Sequence, residues 1–175
     1  ETEVSIYKDQ PVFEGQYSNQ CYVNRITEAY QNFKEENSLE NNKVYQNWEA
    51  VLMHLPYCFQ GRRTFHEIVL AENPELIDVN AADAKEQIKA FSKSELYLNL
   101  VQQKIEPSEI ASGQVGNIYT GSIFLGLLST LTYFAQNESN INNKKFGFIA
   151  YGSGSKSKVF EGEIQENWKM ALPTL

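Results

Sequence analysis

From Ser18 onward, apolar residues recur close to the helical period at Tyr22, Ile26, Tyr30 and Phe33. This predicts an amphipathic surface helix, capped by Ser18 after a turn at Gly15 and ending in Lys34-Glu35-Glu36-Asn37. The pattern changes at Trp48-Glu49-Ala50-Val51-Leu52-Met53-His54-Leu55-Pro56. This short, bulky run is a buried strand that delivers His54 at or near its end. After Gly61, Phe65, Ile68 and Val69 predict a helix with Arg62 and Arg63 in its first turn, and Lys85 to Lys104 predicts a further helical region. Ile118 to Ala135 is an uncharged run that reads as a long buried helix, with Val115-Gly116-Asn117-Ile118-Tyr119-Thr120-Gly121-Ser122 at its mouth. A β-hairpin closes the pattern: a strand at 146–151, a turn at 152–155 and a strand at 159–164. Helices alternating with buried strands define an α/β layered class, and with no internal repeat or Gly/Pro-rich linker the chain is one structural unit.

Composition narrows this further. The 175 residues are 42% hydrophobic and 13% aromatic, enough for a sizeable core, while the Asn-rich stretches at 37–42 and 137–143 should be solvated loops. A net charge of −7 without a basic run argues against nucleic-acid binding by phosphate neutralisation. Only the run Ile118–Ala135 approaches the ~18 residues of a membrane span. It carries Tyr119, Thr120, Ser122, Ser129, Thr130, Thr132 and Tyr133 and no cationic flank before it, so it belongs inside a soluble domain. Two cysteines, Cys21 and Cys58, make neither a disulfide scaffold nor a zinc site, and no signal sequence is recognisable, so a reducing cytoplasm is the expected compartment.

Taken singly, the chemistry-bearing residues are ambiguous. His54, followed by Pro56 and Tyr57, reads as a partly buried histidine bonded to backbone before it reads as a catalytic imidazole. His66 lies inside a helix and Cys58 across a turn, where packing roles suffice. Gly116-Asn117 serves helix entry as well as ligand approach, and Gly152-Ser153-Gly154 serves a hairpin turn. Neither has the spacing of a phosphate-binding loop. Arg62 and Arg63 sit at the positive end of a helix dipole, where cations do not belong, which hints at an anionic ligand.

Taken together and in order, four blocks resemble the C-terminal half of 3-hydroxy-3-methylglutaryl-CoA (HMG-CoA) synthases. They are Pro11-Val12-Phe13-Glu14-Gly15-Gln16-Tyr17-Ser18 with Cys21-Tyr22; His54-Leu55-Pro56-Tyr57-Cys58; Val115 to Ser122; and Tyr151-Gly152-Ser153-Gly154-Ser155. The resemblance implies the C-terminal half of a thiolase-like layered α-β-α-β-α fold. It implies an acyltransferase that joins acetyl-CoA, acetoacetyl-CoA and water to give HMG-CoA and CoA, the CoA thioesters being substrates, with no cofactor and no metal. His54 takes the place of the active-site histidine that contacts the acetoacetyl thioester. By the same resemblance, Asn117 is expected to hold the acyl oxygens, and Ser153 with Gly152 and Tyr119 to line the same pocket. The resemblance also implies a homodimer, a role in the mevalonate route to isoprenoids, and a partner half carrying the catalytic cysteine and glutamate.

Two departures qualify this. The family's acetyl-carrying cysteine and its glutamate have no counterpart here, and covalent thioester chemistry needs that thiolate. The chain is therefore expected to be a fragment, inactive by itself, whose exposed apolar face associates with its twin. The family often has lysines five and nine positions after the histidine, where this chain has Phe59 and Arg63. Arg63 keeps a cation for a CoA phosphate, Phe59 does not, and Arg62 is read as solvated. This leaves open a relative that adds a β-branch to an acyl chain on a carrier protein, or a non-catalytic acyl-CoA-binding module.

Overall fold

The computed structural model describes residues 14–152 and 154–172. Ser153 and the Pro11-Val12-Phe13 block lie outside the described residues. Helix α1 (Gly15–Glu36) is capped four residues before Ser18, because the Glu14 carboxylate accepts the Tyr17 N–H at 2.8 Å. A single turn, α2 (Val44–Asn47), leads into β1 (Trp48–Met53). Helices α3 (Gln60–Glu72), α4 (Ala84–Phe91), α5 (Glu95–Lys104), α6 (Glu106–Val115) and α7 (Ser122–Gln136) form the crossover to β2 (Lys145–Gly152). The hairpin returns as β3 (Lys156–Glu163). The helical region expected at 85–104 is divided because Ser94 caps a new helix, taking the Tyr97 N–H at 3.2 Å. Pro107 then separates α5 from α6 by removing a backbone donor. Helix α6 escapes a reading by apolar period because its buried face is Pro107, Ser108, Glu109 and Ser112. The uncharged run becomes a short 3₁₀ turn (Tyr119–Gly121) followed by α7, and among the described residues no helix is long and apolar enough to cross a membrane.

The sheet has the order β1-β2-β3, with β1 parallel to β2 and β2 antiparallel to β3. Strand alternation sends Val51 and Met53 to one face, against α1, α3 and α5, and Ala50 and Leu52 to the other, against α7. Trp48 would share the face of Ala50 by parity, yet it packs on the α1 side. The reason is a bulge: two steps along β1, from Trp48 to Ala50, match one step along β2, from Lys145 to Phe146. The displaced indole then lies flat over Gly147, where a Cβ would stand 2.0 Å from Trp48 Cε3, and its N–H reaches Glu161 on β3 at 2.9 Å. The other end of this layer is fixed by a buried network. Glu72 Oε1 accepts from Tyr30 (2.9 Å), Lys34 (2.8 Å) and Val44 N–H (3.0 Å), tying α1, α2 and α3 together.

Candidate active site

His54 is the first residue past β1, at the carboxyl end of the parallel pair, the edge at which open α/β sheets place ligands. Its backbone continues the ladder, donating to Ile149 O at 2.9 Å, and its carbonyl accepts from the Tyr22 phenol of α1. The residue is 8% exposed, and its ring has Tyr151 5.8 Å and Tyr22 6.3 Å away between centroids. Its Nδ1 lies 3.1 Å from the hydroxyl of Ser122, the first residue of α7, and that hydroxyl also accepts the Leu55 N–H at 3.1 Å. Burial lowers the imidazole pKa from its ordinary value, so the ring is neutral near pH 7. The amino end of α7 opposes a positive charge there as well. Burial likewise raises the Tyr22 and Tyr151 phenols above their usual range, so both are un-ionised donors.

Asn117 and Tyr119 lie on the loop that leads into Ser122, and Gly152 lies at the end of β2 beside Tyr151, so both segments adjoin this edge. Helix α6 ends on Gly116 at φ 85°, a conformation glycine accepts without strain. The loop then turns through Asn117, whose Oδ1 accepts the Tyr119 N–H at 2.7 Å, and Tyr119 itself sits at φ 54°. That bond occupies the acceptor end of the Asn117 amide and leaves its NH₂ as the end that can donate to a ligand. Asn117 and Tyr119 are both exposed, and their loop runs directly into Ser122. Gly152 ends β2 immediately after Tyr151 and pairs with Lys156, so the turn it opens starts beside the His54 ring. Ser153 falls outside the described residues. Arg63 is exposed and lies over Tyr57 at 5.7 Å, with Nη1 donating to the Tyr57 oxygen at 3.2 Å.

Arg62 does not lie free in solvent. Its guanidinium forks onto Glu109 of α6 and reaches Glu106 at 3.5 Å, so the anion implied by a cation at this helix start is supplied by the chain itself. Bonding to Glu109 raises the Arg62 pKa, while burial lifts the Glu109 carboxyl above the usual range. Phe59 stacks on the same guanidinium at 4.8 Å. Beside them is a cavity of about 440 Å³ that includes Cys58, Ile110 and Tyr133 in its wall but not His54. Cys58 is a free thiol of this cavity and makes no hydrogen bond to His54. Sequence reasoning gave no role to Ser122, Tyr22 or Tyr151. All three stand inside family blocks, but nothing local says that they converge on one ring.

A mixed sheet with helices on both faces, and a histidine, Gly152 and an Asn loop at one edge, is the C-terminal half of a thiolase-like α/β fold. A solved MvaS in complex with 3-hydroxy-3-methylglutaryl-CoA has this fold, with a TM-score of 0.69 at 22% identity over 94% of this chain and 39% of that one. An HMG-CoA synthase complexed with CoA is similar at a TM-score of 0.58 and 26% identity, over 96% and 36%. The family model for the hydroxymethylglutaryl-coenzyme A synthase C terminal matches residues 4–173, and the chain belongs to that family. The hydroxymethylglutaryl-CoA synthase of Enterococcus faecalis is 26% identical over 93% of the chain, and that of Schizosaccharomyces pombe 27% over 90%. The chain spans 35% and 40% of those two relatives.

Proposed function

We propose that this chain is the acetoacetyl-facing half of an HMG-CoA synthase, working with a thiolase-like half that carries the acetylated cysteine and the glutamate. The observation that carries the reading is the placement of His54. A neutral imidazole, locked by backbone and side-chain bonds, stands at the sheet edge where the Asn117 loop ends in Ser122 and β2 ends in Gly152. In this role the His54 ring meets the thioester or ketone oxygen of acetoacetyl-CoA and exchanges its proton during condensation. The Asn117 NH₂ donates to an acyl oxygen, Ser153, Gly152 and Tyr119 line the pocket, and Arg63 meets a CoA phosphate. Without the cysteine of the other half no acyl-enzyme forms, so the chain alone is inactive. The exposed Phe124 and Leu128, one helical turn apart on α7 at 71% and 41% exposure, fit a face covered by that half. A homodimer in the cytoplasm, supplying isoprenoid precursors, completes the reading.

The test is CoA release from acetyl-CoA and acetoacetyl-CoA by the polypeptide containing both halves, compared with His54→Ala and Asn117→Ala. Loss of an acid/base group removes about 10²–10⁴ in rate, and loss of an oxygen-binding donor about 10²–10³. Full activity in either variant removes that residue from the chemistry. A second reading, a carrier-protein-linked β-branching synthase, is favoured by Phe59 at a position where the family often has lysine. A curacin-pathway HMG synthase solved with holo donor-ACP shares the fold at a TM-score of 0.61. An intact protein inert with CoA thioesters but active on carrier-bound acyl groups selects this reading, and one inert with both is a binding module.

A further inference from the structure

The Ser122 hydroxyl joins two bonds whose directions constrain each other. A backbone N–H can only donate, so the Ser122 oxygen accepts from Leu55 at 3.1 Å. The same oxygen lies 3.1 Å from His54 Nδ1. Ser122 is 1% exposed, and among the described residues its hydroxyl proton has no other acceptor. If Nδ1 carried a proton, the oxygen would receive two N–H groups and its own proton would be buried without a partner, an arrangement folded proteins avoid. If Nδ1 is bare, Leu55 N–H donates to the hydroxyl, the hydroxyl donates to Nδ1, and each buried group is satisfied. A neutral imidazole holds one proton, which then resides on Nε2. Among the described residues Nε2 makes no hydrogen bond and is not one of the sealed polar atoms, so it is the ring edge open to a ligand.

We propose that Ser122 is the positioning residue of this site: its hydroxyl donates to His54 Nδ1, fixes the Nε2–H tautomer and thereby offers an N–H donor, not a lone pair, to the acyl oxygen. What the Nε2–H meets rests on the functional reading above, whereas the tautomer does not. The same hydroxyl orders Leu55, the residue after His54, so ring tautomer and backbone position are set by one atom.

The chain has only His54 and His66, which makes the measurement direct. In protein labelled with ¹⁵N-histidine, long-range ¹H–¹⁵N correlation spectra report which nitrogen bears the proton, and His66→Gln assigns the signals. The wild type should hold Nε2–H over Nδ1–H by more than about tenfold, as expected where the other ring nitrogen makes the bond that sets the tautomer. Ser122→Ala should bring the ratio toward parity, and Ser122→Thr, which keeps the hydroxyl, should preserve it. A wild-type Nδ1–H tautomer overturns the proposal even if Ser122→Ala fails to fold, and so does a ratio unmoved in a folded Ser122→Ala. In the CoA-release assay of the two-half protein, Ser122→Ala should lower kcat with little change in KM, and Ser122→Thr should restore it. A tautomer that shifts in a protein inert with CoA thioesters upholds the role of Ser122 and removes the synthase reading. An unmoved tautomer in an active synthase does the reverse.

Discussion

Gly147 is expected to be the least replaceable residue of the sheet, and the reason can be worked through. A Cβ at this position stands 2.0 Å from Trp48 Cε3, 2.2 Å from Cδ2 and 2.4 Å from Cζ3. Carbon atoms in contact rest about 3.5–4.0 Å apart. The overlap meets the middle of a rigid ring that is fully buried and tethered to Glu161, so no flexible end can give way. Overpacking usually costs about 1–3 kcal/mol, and Gly147→Ala should reach or pass about 3 kcal/mol. Trp48→Leu alone opens a cavity and should cost about 3 kcal/mol, near the lower end for truncation of a large buried aromatic. In the double variant the ring is gone and the new methyl enters its space, so the two losses should fall short of additivity by about 2 kcal/mol. Urea unfolding followed by far-ultraviolet circular dichroism measures all three variants. Additive losses, or a Gly147→Ala variant within about 0.5 kcal/mol of wild type, would refute the argument that the bulge at Trp48 imposes glycine on β2.

Lys34→Met leaves the Glu72 carboxylate buried without its cation and should cost about 3–5 kcal/mol in the same unfolding experiment; adding Glu72→Leu should recover only part, because the Tyr30 hydroxyl and Val44 N–H then lose their acceptor. Burial lowers the folded-state pKa of His54, so below about pH 6.5 the unfolded chain binds a proton that the folded one does not. Stability should therefore fall as pH drops through that value, until the folded pKa is reached, and His54→Gln should flatten this part of the profile; equal slopes in both proteins would show that His54 is not the group responsible. Phe124→Ser with Leu128→Ser should weaken self-association of the chain in sedimentation velocity without lowering its unfolding midpoint by more than a few degrees. Arg63→Ala should raise KM for a CoA thioester by about tenfold, as loss of a charge-assisted phosphate contact does, while leaving a carrier-bound substrate unaffected.

What the sequence made legible follows from where the information is local. The strand ending at His54 and the hairpin were readable because short apolar runs and Gly/Ser turns encode themselves, and α1 was readable from its period although Glu14, not Ser18, caps it. Helix α6 was not, since it buries serines, a proline and a carboxylate against its neighbours, and no apolar period records that. The Arg62 reading failed for a related reason. The carboxylate that satisfies Arg62 lies 47 positions away, on a helix whose existence was itself unread. The ordered family blocks gave the candidate site residues, but not the bond from Ser122 to His54.

That bond also explains why the site is a product of the finished fold. His54 is held by Tyr22 from α1, Ile149 from β2 and Ser122 from α7, three elements that meet only once the sheet and both helix layers have packed. The same contacts consume the backbone N–H, the backbone carbonyl and Nδ1, so among the described residues Nε2 is the one hydrogen-bonding group of His54 left without a partner. A histidine on a mobile loop would have to be ordered at each turnover, at an entropic cost set against its interaction with substrate. Here the ordering is complete before any ligand arrives, and it comes from bonds that also stabilise the sheet. Under the proposed function, substitutions at Tyr22 or in β2 should therefore act on catalysis through the position of the ring, and those at Ser122 through its proton.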